Sequence, residues 1–363
     1  MNPGTGAGVA IDWRGRTIAE AWASGRNHFN LIRLVAAWLV IYGHAWAITG
    51  AAGGDLFARM TETKFAGAFA VDVFFVVSGF LIAASLQRNT VRGYLASRAL
   101  RIFPALIACI ALSVFVLGPM VTTSTGYWSS ADTWRYLWSN ATLWRAEYAL
   151  PGVFDTLPRT AVNGSLWTLP IEVRLYLALL VASLCGVLTA KRYVLPWLLA
   201  LAGAACFAWW RAPLPAWLAN DVWCVAFFIT GTALWLFRDR VRLSWVGVVA
   251  LLALAATTRG TPWFAAAYFA LVCYGTLWLA FVRRGPPATH HDLSYGLYLY
   301  GWPAAQLVQL YSPGAPLHNL AWASVCALAL AALSWFLVER PALRLKRAFG
   351  TKTPVASPAA AGA

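Results

Sequence analysis

The chain has 363 residues, of which 60% are hydrophobic and only 11% charged, with 21 tryptophans and a mean hydropathy of +0.63. A soluble domain carries about a quarter charged residues, so this composition excludes an ordinary soluble enzyme and defines a polytopic membrane protein. The formal net charge of +15 does not point to nucleic acid, because the basic residues lie in short clusters between apolar runs, as membrane topology requires.

Residues 1–30 are a polar segment without the apolar h-region of a secretory signal, so the first span is expected to direct insertion itself. Apolar runs near residues 31–48, 66–86, 99–118, 166–188, 194–210, 221–237, 243–257, 262–281, 293–311 and 317–338 predict an all-α fold of about ten membrane helices. The segments between them alternate in charge. Nineteen Lys and Arg fall in one alternate set, which includes Arg88, Arg92, Arg98 and Arg101, and seven fall in the other, which includes Arg59 and Lys64. The positive-inside rule then puts both termini in the cytoplasm, with a cytoplasmic segment over 1–30, a transmembrane unit over 31–345 and a cytoplasmic Ala/Pro-rich tail over 346–363. Cys109, Cys185, Cys206, Cys224, Cys273 and Cys326 all lie in apolar runs without metal-ligand spacing. They suit small core residues, and no metal site is expected.

The first span carries Arg33 and His44, both expensive in hydrocarbon. Eleven helical positions are about three turns, so the two share a face and stand roughly 16 Å apart along the axis. Arg33 falls near the cytoplasmic surface and His44 in the outer half. The plain alternative is an inner-end anchor and a core histidine. Span two, "FAGAFAVDVFFVVSGFLIAASL", brings Asp72 to a depth like that of His44, and span four, beginning "NGSLWTLPIEVRLYLALL", is expected to bring Glu172 and Arg174 to the same layer. A histidine beside carboxylates is equipment for general-base chemistry, although a purely structural network with Arg174 neutralising Asp72 or Glu172 is the competing explanation. At the inner layer, Arg98 and Arg101 are three positions apart on one helix face and join Arg33 in a guanidinium cluster suited to phosphates. Positive-inside bias alone would also place basic residues there. A long thin donor such as coenzyme A would bridge the two layers, its phosphates inside and its thioester near the histidine.

These residues, in this order, resemble the membrane-bound acyltransferase family 3, integral membrane O-acyltransferases that modify cell-surface glycans. The likeness rests on Arg33 and His44 with ten residues between them, on "AVDVFFVVSGFLI" with Asp72, Ser78 and Gly79, and on Arg98 and Arg101 followed by Pro104. It continues through "NGSLWTLPIE" with Glu172, "LSYGLYLYGWP" and "ERPALRL", and covers about residues 27–345. Arg174 stands where an apolar or aromatic residue is more usual, and Gly301 where the ninth span often has His. No esterase-like domain is expected after the tenth span.

The resemblance implies a multi-pass protein of the bacterial inner membrane that moves an acyl group, with acetyl the expected one, from cytoplasmic acyl-CoA to a hydroxyl of a polysaccharide, lipopolysaccharide or lipid-linked glycan. His44 is then the expected general base, with Asp72 or Glu172 orienting it. An acyl-histidine relay is the mechanistic rival. Arg33, Arg98 and Arg101 would bind the coenzyme's phosphates. Aromatics between Pro119 and Asn163, among them Trp128, Trp134, Trp138 and Trp144, suit sugar stacking or an interfacial belt. A transporter or flippase using the same charged layers is the alternative from another class, disfavoured by the absence of an internal repeat.

Overall fold

The computed structural model describes residues 15–186, 188, 216–282 and 291–349, which are mostly helical. Helix α1 (Ile18–Ala23) starts at a capping box in which the Thr17 hydroxyl accepts from the Glu20 amide and the Glu20 carboxylate accepts from the Thr17 amide. Arg16–Thr17 pair antiparallel with Arg242–Leu243. Helix α2 (Phe29–Thr49) stops where Gly50 turns left-handed at φ +71°. The next two helices, α3 (Leu56–Thr61) and α4 (Ala66–Arg88), begin on a single carboxylate. Buried Asp55 accepts from the Ala58 amide at 2.7 Å through one oxygen and from the Ala66 amide at 2.8 Å through the other. It thereby satisfies unpaired donors at two helix N-termini.

Helix α5 (Val91–Val121) is capped by Thr90 and contains a π-helical turn at Ser113–Leu117. Then follow α6 (Ala131–Thr142), α7 (Gly164–Leu184), α8 (Ala216–Leu236), α9 (Trp245–Thr257), α10 (Phe264–Ala280), α11 (Ser294–Tyr311) and α12 (Pro316–Arg344). A second π-helical turn, Trp335–Glu339, interrupts α12. Nine of the ten expected spans fall on helices, the shortest being the 13-residue α9, and 194–210 lies outside the described residues. Among the described residues, α2, α4, α5, α7 and α12 have both the length and the apolarity to cross a membrane. Apolar stretches of α8, α9 and α10 are shorter, and α11 interleaves Tyr295, Tyr298, Tyr300, Gln306 and Gln309 with its apolar residues. Helix length and apolarity therefore support five spans among the described residues, where the sequence suggests about ten over the whole chain.

Helix α4 is the most enclosed of these five, and α2 and α8 pack along it. Glycine permits that approach. A β-carbon at Gly79 would lie 1.9 Å from the Phe228 carbonyl oxygen, and one at Gly231 2.2 Å from that of Val76. Between α2 and α4, a β-carbon at Gly43 would meet the Gly67 nitrogen at 2.3 Å. Small residues let helices touch through their backbones where water cannot drive association. Outward faces carry exposed Phe115, Val116, Leu177, Val181, Leu333 and Leu337, as surfaces in contact with hydrocarbon do. Cys109, Cys224 and Cys273 are buried as expected, whereas Cys185 and Cys326 lie on outward surfaces; Cys206 is outside the described residues.

Because the obstacle at Gly79 is backbone rather than a movable side chain, Gly79→Ala should cost about 3 kcal/mol, at the upper end of overpacking penalties. Gly126→Ala, whose added carbon would meet nothing closer than Ser129 Oγ at 3.4 Å, should be near neutral. Thermal unfolding of the two variants in detergent gives the comparison.

Candidate active site

A cavity lies between α2, α4, α5, α7 and α11. Arg33, Arg98 and Arg101 line one end of it, together with Ser78, Glu172 and Tyr176. Along α4 the lining runs from Ile82 to Val71, eleven positions or about 16 Å. The other end is formed by Val71, Phe74, Thr168, Leu169 and Tyr298. There the Tyr298 hydroxyl donates to the Ser165 carbonyl at 2.7 Å and lies 2.6 Å from Thr168 Oγ1, while its ring meets Phe74 edge-on at 5.7 Å. A larger cavity between α2, α9 and α10 is mainly apolar and is lined by none of the expected site residues.

Two of the three arginines are already paired. One oxygen of Asp292 lies 2.8 Å from Arg33 Nη1 and 2.6 Å from Arg101 Nη2, and Arg101 Nη1 lies 3.2 Å from Glu339. The other Asp292 oxygen accepts from the Ser294 hydroxyl at 2.5 Å and amide at 3.2 Å, and Ser334 donates to Glu339 at 3.1 Å. Burial opposes ionisation of Asp292, but Arg33 and Arg101, helped by Ser294, outweigh it and hold the carboxyl well below the usual carboxylate range. Arg98 has no acidic partner among the described residues. Its Nε donates to Ser97 Oγ at 3.4 Å, and its guanidinium lies 5.9 Å from the Tyr176 ring.

His44 lies outside this cavity. Its Nδ1 is 2.7 Å from the Val40 carbonyl oxygen, one turn back on α2. A ring nitrogen can bond a carbonyl only by donating, so the neutral imidazole carries its proton on Nδ1 and leaves Nε2 as the basic nitrogen. The ring packs edge-on against Phe65 at 5.1 Å and Trp302 at 4.8 Å. Trp302 is held in turn by its indole N–H to the Ala161 carbonyl at 2.9 Å. Gln306 donates to the Arg159 and Ala161 carbonyls, and Asn163 to that of Leu299. Residues 159–163 are thereby drawn against α11.

The expected grouping of His44 with two carboxylates does not form, and neither Asp72 nor Glu172 orients the ring. Helix α7 begins beside Trp302, where a β-carbon at Gly164 would lie 2.6 Å from Trp302 Cη2. Glu172, eight positions further, is thus about 12 Å beyond the histidine layer and accepts from Ser78 Oγ at 3.1 Å and from the Tyr176 hydroxyl. Asp72 has the expected depth but the other azimuth. Gly67 touches His44, and five positions on, at 100° each, turn Asp72 about 140° away. It pairs with Lys64 at 3.3 Å and accepts from Tyr268 at 2.7 Å. Arg174 neutralises neither carboxylate, being exposed and donating to the Trp144 carbonyl at 3.0 Å. Gly301 abuts Ile41, with 2.7 Å between a β-carbon there and Ile41 Cγ1.

The sequence reading missed Asp292, Glu339, Lys64, Trp302 and Tyr176 as partners of the site. Asp292 did leave a signal, being an acidic residue directly before a span in a strongly basic chain.

Within a bundle of apolar helices, an arginine-lined cavity thus ends about one helical turn short of His44. The acyltransferase domain of family 3 matches residues 26–339, and the chain belongs to that family. It is 30% identical over 333 residues to an O-acetyl transferase of Shigella phage Sf6, covering 86% of this chain and 95% of that protein. Nodulation protein 10 of Rhizobium leguminosarum bv. viciae is 28% identical over 368 residues, covering 88% of this chain and 94% of its own. No solved structure gives a significant match.

Asp72→Ala would leave the Lys64 ammonium unpaired among Trp223 and Tyr268. It should therefore cost about 3 kcal/mol or more, as loss of one member of a buried pair does. Arg174→Ala, at an exposed position, should stay within about 0.5 kcal/mol. The folded fraction of each variant after mild heating separates them.

Proposed function

We propose that the protein is a multi-pass O-acyltransferase of the bacterial inner membrane, which moves an acyl group, acetyl in the expected case, from cytoplasmic acyl-CoA to a hydroxyl of a cell-surface polysaccharide, lipopolysaccharide or other glycan. The observation that carries this reading is the channel itself, which leads from the guanidinium layer to within one helical turn of His44. Three helices give the same spacing: Val71 to Gly67 on α4, Thr168 to Gly164 on α7, and Tyr298 to Trp302 on α11. In each pair the first residue lines the channel. Gly67 and Trp302 contact His44, and Gly164 packs on Trp302.

Orientation is supported by which helix ends meet at the arginines. Arg33 is near the start of α2, Arg98 and Arg101 are in the first half of α5, and Glu339 is late in α12. These ends adjoin the Lys- and Arg-rich segments, which the positive-inside rule assigns to the cytoplasm. A count of about ten spans satisfies that alternation. Exposed Trp128, Trp138 and Trp144 then lie on the acceptor's side, where indole faces can stack on sugars.

In this reading the donor's phosphates lie against Arg98, Arg33 and Arg101, and its arm passes Ser78, Glu172 and Tyr176. His44 Nε2 takes the proton of the acceptor hydroxyl as the oxygen attacks the thioester carbonyl. The carbon–sulfur bond breaks, the coenzyme leaves as thiolate, and the imidazolium gives up its proton to reset the base. The Val40 carbonyl, rather than a carboxylate, holds the tautomer. Family membership favours transfer over the transporter alternative.

The test is acyl transfer from labelled acetyl-CoA by protein in proteoliposomes. His44→Gln can hydrogen-bond but cannot take up the proton, and should lose about a hundredfold to ten-thousandfold in rate with donor affinity little changed. Near-wild-type turnover in that variant would return His44 to the core. Arg98→Ala removes the one unpaired guanidinium of the cluster and should weaken donor binding about tenfold to a hundredfold, since bonds to charged groups contribute about 1.5–3 kcal/mol. Unchanged affinity in equilibrium dialysis would remove Arg98 from the donor site.

A further inference from the structure

We infer that Phe74 and Tyr298 set the length of the acyl group, admitting acetyl and excluding chains a few methylenes longer; this rests on the donor channel proposed above. Polarity along the channel is graded. The charged groups, Arg33, Arg98, Arg101 and Glu172, collect at the arginine end, whereas the far end is uncharged and is built from Val71, Phe74 and Leu169 with Thr168 and Tyr298, whose hydroxyls are bonded to each other. The acyl group, as the least polar part of the donor, is directed there.

The far end is closed by fixed rings. Tyr298 is only 7% exposed, its hydroxyl is held by Ser165 and Thr168, and Phe74 meets its ring edge-on. There is no slack behind it. One turn beyond, Trp302 fills the space so closely that even a β-carbon at Gly164 would come within 2.6 Å of it, and Gly301 is pressed against Ile41. A chain lengthened toward the wall meets Phe74 and Tyr298, and moving the Tyr298 ring breaks its bonds to Ser165 and Thr168. The carbonyl handed over must come within reach of the acceptor hydroxyl at the His44 layer, so it sits at this end of the channel, beside Phe74 and Tyr298. No length is left beyond for further methylenes.

Chain-length profiles with acetyl-, butanoyl- and hexanoyl-CoA test this. One methylene against a fitted apolar wall changes kcat/KM by about tenfold or more, so wild-type protein should use butanoyl-CoA at least about a hundredfold less well than acetyl-CoA. Phe74→Ala and Tyr298→Leu should each narrow that gap by tenfold or more, chiefly by raising butanoyl use. Tyr298→Phe keeps the ring and should keep the wild-type profile, although it loses the hydroxyl's two contacts. Equal use of acetyl and hexanoyl donors by the wild type would overturn the inference, as would an unaltered profile in an active Phe74→Ala protein. The wild-type comparison decides even where Tyr298→Leu does not fold. Transfer without length discrimination would remove the ring wall alone, whereas transfer from none of the donors would remove the acyltransferase reading beneath it.

Discussion

Two guanidiniums share one carboxylate oxygen at Asp292, and much of the bundle's geometry depends on that contact. Arg33 comes from α2, Arg101 from α5, Asp292 from the start of α11, and Glu339 from the π-helical turn of α12. None of these charges is more than 22% exposed at its side chain. Buried ions of this kind are tolerated only when paired and hydrogen-bonded, and removing one partner costs several kcal/mol, so the four elements are held in a single arrangement. The π-helical turn matters here because an extra residue re-aims the chain that carries Glu339. The ion chain also fixes axial register: with Arg33 pinned, His44 must lie about 16 Å along the same helix.

Close backbone packing supplies the complementary constraint. Gly79 against Phe228, Gly231 against Val76 and Gly43 against Gly67 bring α8 and α2 onto α4 with almost no side chain between them. The α4 face that reaches the site is a repeating stripe. From Gly67, residues Val71, Phe74 and Ser78 are displaced by about 40°, −20° and 20° around the axis. One helix face therefore meets the histidine, the apolar channel wall and the Glu172 cluster in succession. Asp72 falls off that stripe and ties α4 to Tyr268 of α10 instead.

What the sequence revealed and what it hid follow from this geometry. Arg33 with His44, and Arg98 with Arg101, were legible because each pair lies on one helix, where spacing fixes both depth and face. Glu172 was misplaced because its depth was counted from an assumed membrane surface, whereas residues 159–163 fold inward along α11 and start α7 at the level of Trp302. That fold is made by Asn163, Trp302 and Gln306 bonding to backbone carbonyls, which no periodicity records. Asp72 was given the right depth, but depth without azimuth cannot name a partner. The arginine cluster was legible while its neutralisation was not, because Asp292 and Glu339 are distant in the chain from the residues they pair with.

The division of the carboxylates explains why the histidine does without one. A carboxylate beside His44 would raise its basicity but would also need its own counter-charge and hydrogen bonds in a layer built of Phe65, Gly67 and Trp302. The Val40 carbonyl supplies the same tautomeric constraint at no such cost, being a backbone acceptor of α2 itself. The acidic residues are then free for work that needs full charge: Asp292 and Glu339 against the arginines, and Asp72 against Lys64. The layer around His44 is thus lined by aromatic rings and backbone, with the nearest buried carboxylate, Asp55, spent on the Ala58 and Ala66 amides.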